Sequence, residues 1–293
     1  MAIVYIVTDL EWNGAYSKRA HGYFNEIIDI GAVKLDDGLR EIDRFHVTIR
    51  PIISKKLSTI VKDLTHFEPE ELEDGTTFEE AMAAFRRWIG PGEAAFLTWS
   101  QTDLLVLIEN FRFFRRRESI PLMTHYADAQ RYCQQQMGIA TGQQLGLRNA
   151  CEQLGIPTDG MENHRALGDS VLTARVLRQV GDPQTLAQAL CKTDRRFYER
   201  LLFKPYILRD IDAVSLDPAS WRFACPDCGR TLREKKPYSY RNSAFCADLH
   251  CPACDQAYIG RVQCKQMYDT VLIKRKLVKK TPPPAEETKG ESL

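Results

Sequence analysis

The chain lacks what would hold it in a membrane or carry it across one. In its 293 residues no apolar stretch approaches the ~20 residues of a membrane-spanning helix. The N-terminus has neither a basic lead nor a small-residue cleavage site, so no signal peptide is expected. There is no internal repeat, and the formal net charge is only +1. An apolar content of 44% beside 27% charged residues excludes wholesale disorder. The nine cysteines are odd in number, and six crowd between positions 225 and 264. That excludes a secreted disulfide framework and points to metal binding in a reducing, cytoplasmic setting, with no membrane partner.

The charge that is present is unevenly spread. Residues 221–280 hold 13 Lys and Arg against 5 Asp and Glu, which leaves residues 1–220 near −5 and the last 13 residues near −2. A basic C-terminal module beside a mildly acidic body suits a polyanionic partner. The length allows roughly two domains of ~150 residues.

The first 50 residues predict three strands, 3–9, 26–35 and 41–50, arranged as an antiparallel meander. Helical spacing follows in LSTIVKDL and FEEAMAAFRRWI, with Thr77 and Glu80 as a capping box. AAFLTW (94–99) predicts a buried strand, and Thr102 and Asp103 open a helix. A strand near 125–127 and helices over 128–137, 143–154, 165–180 and 184–204 complete the pattern. Strands first, then strands alternating with helices, predict an α/β mixed sheet covered by helices.

Asp9 and Glu11 close the first predicted strand. Side chains at i and i+2 of a strand share a face, so the two acids crowd and repel. A solvated strand end is one reading; a cation between them is the other. Asp103 follows the 94–99 strand, His164 precedes a helix and Asp169 lies in its first turn. Each has a plain alternative: an acid favoured by the helix dipole, a loop histidine, a solvated helix acid. Taken together, Asp9, Glu11 and Asp103 mark strand ends, where open α/β sheets bind ligands. Four converging carboxylates need cations, and hard oxygen donors suit magnesium or manganese.

TDLEW, Asp103 after Trp-Ser-Gln-Thr, and HRALGDSVLTARV together resemble the three motifs of the DEDDh 3′–5′ exonucleases, the DnaQ-like branch of the RNase H-like fold. NEIIDIGAVKL and DLTHFEPEEL resemble further segments of ERI-type and KapD-type members. The resemblance covers about residues 3–182. Arg165 stands where the sister DEDDy group has Tyr, so the histidine form is indicated. Two departures stand out: His66-Phe67 where many relatives have Gly-Ile, and Ser100 where many have Gly.

The resemblance implies an RNase H-like exonuclease fold with a five-stranded mixed sheet flanked by helices. It also implies two magnesium or manganese ions. Asp9 would bridge both, Glu11 and Asp169 would complete the first site, and Asp103 would hold the second through water. His164 would be the general base. Main chain and side chains at Leu10, Trp12 and the Thr65 region would cradle the last nucleotide by stacking and packing. The implied substrates are single-stranded 3′ ends or overhangs of RNA or DNA, RNA ahead of DNA. Two alternatives stay open: a nucleic-acid-binding adaptor that keeps the fold without catalysis, and a phosphodiesterase for short oligonucleotides. The oligomeric state is also open.

CPDCG (225–229) and CPAC (251–254) form two Cys-x-x-Cys pairs separated by 22 residues. Cys225, Cys228, Cys251 and Cys254 would bind one zinc tetrahedrally, and the module resembles a zinc ribbon. Cys246, His250 and Cys264 are spare ligands, with His250 poorly placed because it abuts Cys251. RTLREKKPYSYRNSAF interleaves cations with Tyr238, Tyr240 and Phe245, the texture of a single-strand binder; a purely structural staple is the alternative. The expected organisation is an exonuclease domain over 1–183, a helical connector over 184–222, the zinc ribbon over 223–275 and a disordered tail over 276–293.

Overall fold

In the computed structural model, which describes residues 3–140, 142–158, 165–212 and 218–280, β1 (Val4–Ser17) runs well past the acids expected to end it. It forms a long antiparallel hairpin with β2 (Gly22–Leu35). Asp9 and Glu11 are therefore mid-strand, not at a strand end. Asn13 and Gly14 obscure the continuation in sequence, but pairing with residues 22–27 supplies the ladder. A bulge places Glu11 opposite Asp29 and Trp12 opposite Ile27, with Ile28 as the extra residue.

After β3 (Glu41–Thr48) come α1 (Thr59–Thr65), α2 (Pro69–Glu73) and α3 (Phe78–Ile89). The Thr77–Glu80 capping box is present at the start of α3. Next are β4 (Ala94–Thr98), α4 (Thr102–Arg115), β5 (His125–Asp128), α5 (Ala129–Gln136), α6 (Leu147–Gln153) and α7 (Ala166–Val180). The helix expected over 184–204 is instead α8 (Pro183–Ala189), β6 (Cys191–Lys192) and α9 (Arg195–Leu202).

The sheet order is β3-β2-β1-β4-β5-β6. β4 and β5 run parallel to β1, and β6 is antiparallel to β5. The sheet thus has six strands rather than five, because a two-residue strand leaves no periodic signal. Alternation along β1 sorts the layers. Tyr5 and Val7 join the core made with α5, α6 and α7, while Thr8 and Leu10 face Leu104 and Leu107 of α4. This first unit extends to Glu199, beyond the expected boundary at 183, because β6 pairs into its sheet.

The second unit, Arg200–Leu293, contains β7 (Tyr206–Ile207), β8 (Arg233–Glu234), β9 (Ser239–Arg241), β10 (Ala244–Cys251), β11 (Gln256–Gln266) and β12 (Val271–Lys279). Its sheet runs β12-β11-β10-β8, with β9 on β10 and β7 on β11. Residues 276–279 belong to β12 rather than to a tail, and β7, from the expected connector, joins the sheet. Phe223, Phe245, Leu249, Tyr258 and Val262 form its core. Among the described residues no helix is long and apolar enough to cross a membrane.

Candidate active site

Gly31 of β2 lies directly opposite Asp9. A Cβ there would come within 2.0 Å of the Leu167 main-chain nitrogen and 2.1 Å of the Ala166 carbonyl carbon. Only glycine lets the first turn of α7 press on the sheet this closely. Ser170 Oγ then donates to the Gly31 carbonyl at 2.9 Å, and Asp169, one residue earlier, is delivered over β1. Carboxylate oxygens of Asp9, Glu11 and Asp169 all lie within 4.8 Å of one another.

β4 pairs with β1 only from Val4 to Val7, which frees the edge of β1 beyond it. The N–H of Leu10 on that edge donates to Asp103 Oδ1 at 3.1 Å. Asp103, buried in the first turn of α4, thus satisfies a main-chain donor and ties α4 to the acidic strand. It stands behind the triad rather than within it.

Burial, then the charges of Asp103, Asp169, Glu11 and Asp29, push the Asp9 carboxyl well above the usual carboxylate range. Burial, Asp169, Asp29 and Asp103 push Glu11 up to about 8, against the pull of Arg165. Burial pushes Asp103 up to about 7; the Leu10 N–H and its own N–H oppose the rise, and the Asp169 charge adds to it. A half-buried set of acids that all resist ionisation is what a cation would relieve.

Asp29 was not anticipated from sequence. It is fully buried opposite Glu11, with Oδ1 2.8 Å from His46 Nε2 and Oδ2 without a hydrogen-bond partner. The one signal was an acid inside the apolar run EIIDIGAV. Arg165 is a second addition: its guanidinium lies 3.7 Å from the centre of the Phe67 ring and makes two 3.0 Å hydrogen bonds to Glu71. It ties the start of α7 to α2. Of the three expected cradle residues, Leu10 and Thr65 are buried, and Thr65 Oγ1 donates to the Val61 carbonyl at 2.7 Å. Trp12 keeps partial exposure. His164 lies outside the described residues.

Both departures from the family pattern fall where a glycine would be at ease. His66 ends α1 at φ 53°, and Ser100 follows β4 at φ 95°. Ser100 Oγ accepts from the Thr102 N–H at 3.2 Å, which recovers part of the cost.

In the second unit, the sulfurs of Cys225, Cys228, Cys251 and Cys254 lie within 4.8 Å of one another. Two of the separations are 3.5 and 4.0 Å, bracketing the ~3.8 Å that a tetrahedron of ~2.3 Å zinc–sulfur bonds requires. Gly229 at φ 72° and Asp255 at φ 49° turn the two knuckles. Burial raises the Cys225 thiol, but hydrogen bonds from Tyr258 and the Cys228 and Asp227 main chain outweigh it and hold the group at about 6. Four soft donors in this geometry fit zinc. His250 is paired with Asp255 at 2.8 Å, while Cys246 and Cys264 are buried. The expected stacking rings are largely structural: Phe245 is core, Tyr238 packs on Trp221 and donates to its carbonyl, and Tyr240 packs edge-on against Phe245.

The acidic cluster has the donor set of a divalent-cation site. A family model described as Exonuclease, RNase_T, matches residues 6–177, more than half of the chain. The chain belongs to this exonuclease family.

Over 86 residues, 29% of the chain, it is 34% identical to the DNA polymerase III PolC-type of Staphylococcus saprophyticus. That match covers 5% of the polymerase, so the chain corresponds to a small part of that protein. Its fold is similar to the nuclease domain of 3′hExo, a DEDDh family member solved bound to rAMP (TM-score 0.53, 19% identity, covering 66% of this chain and 98% of that one). A 3′-exonuclease solved for 3′-end specific recognition of a histone mRNA stem-loop is similar too (TM-score 0.53, 20% identity, 65% and 85% covered).

Proposed function

We propose that this exonuclease is of the DEDDh type and removes nucleotides from single-stranded 3′ ends or overhangs, RNA ahead of DNA. The observation that carries the proposal is the meeting of Asp9, Glu11 and Asp169 beside Asp103, where β4 leaves β1. The RNA preference draws on the similar folds solved with rAMP and with a histone mRNA stem-loop. The first unit is the exonuclease domain and the second a zinc ribbon. None of the nine cysteines is paired in a disulfide, which is compatible with a reducing, cytoplasmic setting.

When bound, two magnesium or manganese ions supply polarisation of the attacking water and of the departing 3′ oxygen. Asp9, Glu11 and Asp169 would hold these ions, with Asp103 beside them. Asp103 also fixes the main chain at Leu10, and with it the position of the acids on either side. The His164 imidazole accepts the proton of the attacking water, the usual task of a histidine general base. Asp29 backs Glu11 across the strand pair, and Arg165 steadies the start of α7.

Strands labelled at the 3′ or the 5′ end, as RNA and as DNA, test the proposal with magnesium, manganese and EDTA. The expected result is a stepwise ladder from the 3′ end, abolished by EDTA and faster on RNA. Internal cuts, or cleavage confined to fragments of two to five nucleotides, would sink it.

A further inference from the structure

Residues directly opposite in neighbouring strands share a face of the sheet. In the second unit one face, carrying Phe245, Leu249, Tyr258, Val262, Ile273 and Leu277, is the core. The register assigns the other face. Arg261 stands beside Lys276, Gln263 beside Lys274 and Lys265 beside Leu272. Arg241 stands beside Ala244, and Arg233 beside His250. The acid on this face is Asp248, bound by Lys280 at 2.7 Å and Arg241 at 3.8 Å.

The core face handles its cations differently. Arg275 lies over the Phe223 ring at 4.6 Å, and Lys279 reaches Asp227 at 3.9 Å. Lys274 and Lys276 on the outer face are exposed, and neither forms an ion pair with a described residue. Leu272 and Val278, 47% and 37% exposed, flank the two lysines on this face of β12. Like charges directly opposite in a sheet, as at Arg261 and Lys276, are destabilising unless something neutralises them.

We propose that the outer face of β11 and β12 binds the phosphate backbone of single-stranded nucleic acid, as a holding site in addition to the carboxylate cluster. The identity of the polyanion rests on the exonuclease reading. Among the described strand residues the face offers cations flanked by aliphatic side chains and no ring platform. Its grip is therefore insensitive to sequence and sensitive to salt.

The full-length chain carrying Asp9→Ala, so that the strand survives, is titrated with a labelled 20-nucleotide mixed-sequence RNA across a salt series. Adding Lys274→Gln and Lys276→Gln should weaken binding about tenfold and flatten the salt slope by roughly 1.4, at ~0.7 per phosphate contact. In the catalytically intact chain the same pair should raise KM for the 20-mer, with kcat and trinucleotide hydrolysis unchanged. Unchanged affinity and slope, with zinc content and melting temperature at wild-type values, would overturn the proposal. So would polyglutamate of matched charge binding as tightly as the RNA. The binding assay does not need cleavage, whereas failure of the exonuclease reading would appear as undegraded strands with the unsubstituted chain.

Discussion

Asp9, Glu11 and Asp169 reach one another from opposite ends of the first unit, by way of a strand pair and a helix laid across it. Cys225 and Cys228 share one turn, Cys251 and Cys254 share another, and two strands bring the turns together. The acids are held by the packing of α7 on β2, and without an ion they repel one another. The thiols are held by short loops around a small core, so ion and fold are one cooperative object. Removing the ion should therefore leave the first unit folded and idle, and leave the second without its structure.

The largest effect expected is in the second unit. Zinc contributes on the order of 10–16 kcal/mol to comparable sites, so Cys251→Ser should abolish zinc binding and unfold that unit. Zinc content and limited proteolysis read this out, while trinucleotide hydrolysis with magnesium continues. A zinc-free second unit as protease-resistant as the original breaks the contrast.

Next is Asp9→Ala, expected to slow strand degradation on the order of 10³-fold with no loss of thermal stability. A variant that digests at the original rate removes the carboxylates from the chemistry.

Third is the pH dependence of the first unit without divalent ions. Asp9, Glu11 and Asp103 bind their protons more tightly folded than unfolded. Their stabilising contribution is complete below the ordinary carboxylate value near ~4. It is lost as pH rises through about 7 for Asp103 and about 8 for Glu11. Melting temperature should fall between pH 5 and 8, and magnesium should remove the slope. A rise over that range, ion-free, contradicts the repulsion.

The smallest effect is local. His66→Gly relieves a left-handed residue at the end of α1 and should stabilise by about 1 kcal/mol, a shift of roughly 2–4 °C. A lower melting temperature would mean that the imidazole contributes more than its backbone strain costs.

The acids and cysteines were legible because their spacing is dictated by ligand chemistry. Asp9 and Glu11 advertise a shared face, and the doubled Cys-x-x-Cys needs no tertiary information. What was not legible depends on register. Asp29 looks like the polar member of a half-buried strand until pairing sets it against Glu11. The hairpin beyond Glu11 hides behind Asn13 and Gly14. Tyr238 and Phe245 carry the composition of a stacking surface, yet they stack on the interior. The cationic outer face emerges only when β11 and β12 are paired residue by residue.

Gly31 sets a mechanical stop. With no side chain between β2 and the first turn of α7, main chain rests near main chain, and that contact fixes how far Asp169 stands from Asp9 and Glu11. Side chains can repack to widen a gap; two peptide backbones in contact yield much less. A site gauged this way suits an ion that demands short, regular bonds of ~2.0–2.1 Å over one that tolerates ~2.3–2.6 Å. The choice of magnesium over calcium would then be inherited from one missing methyl group on the neighbouring strand, not from the ligands themselves.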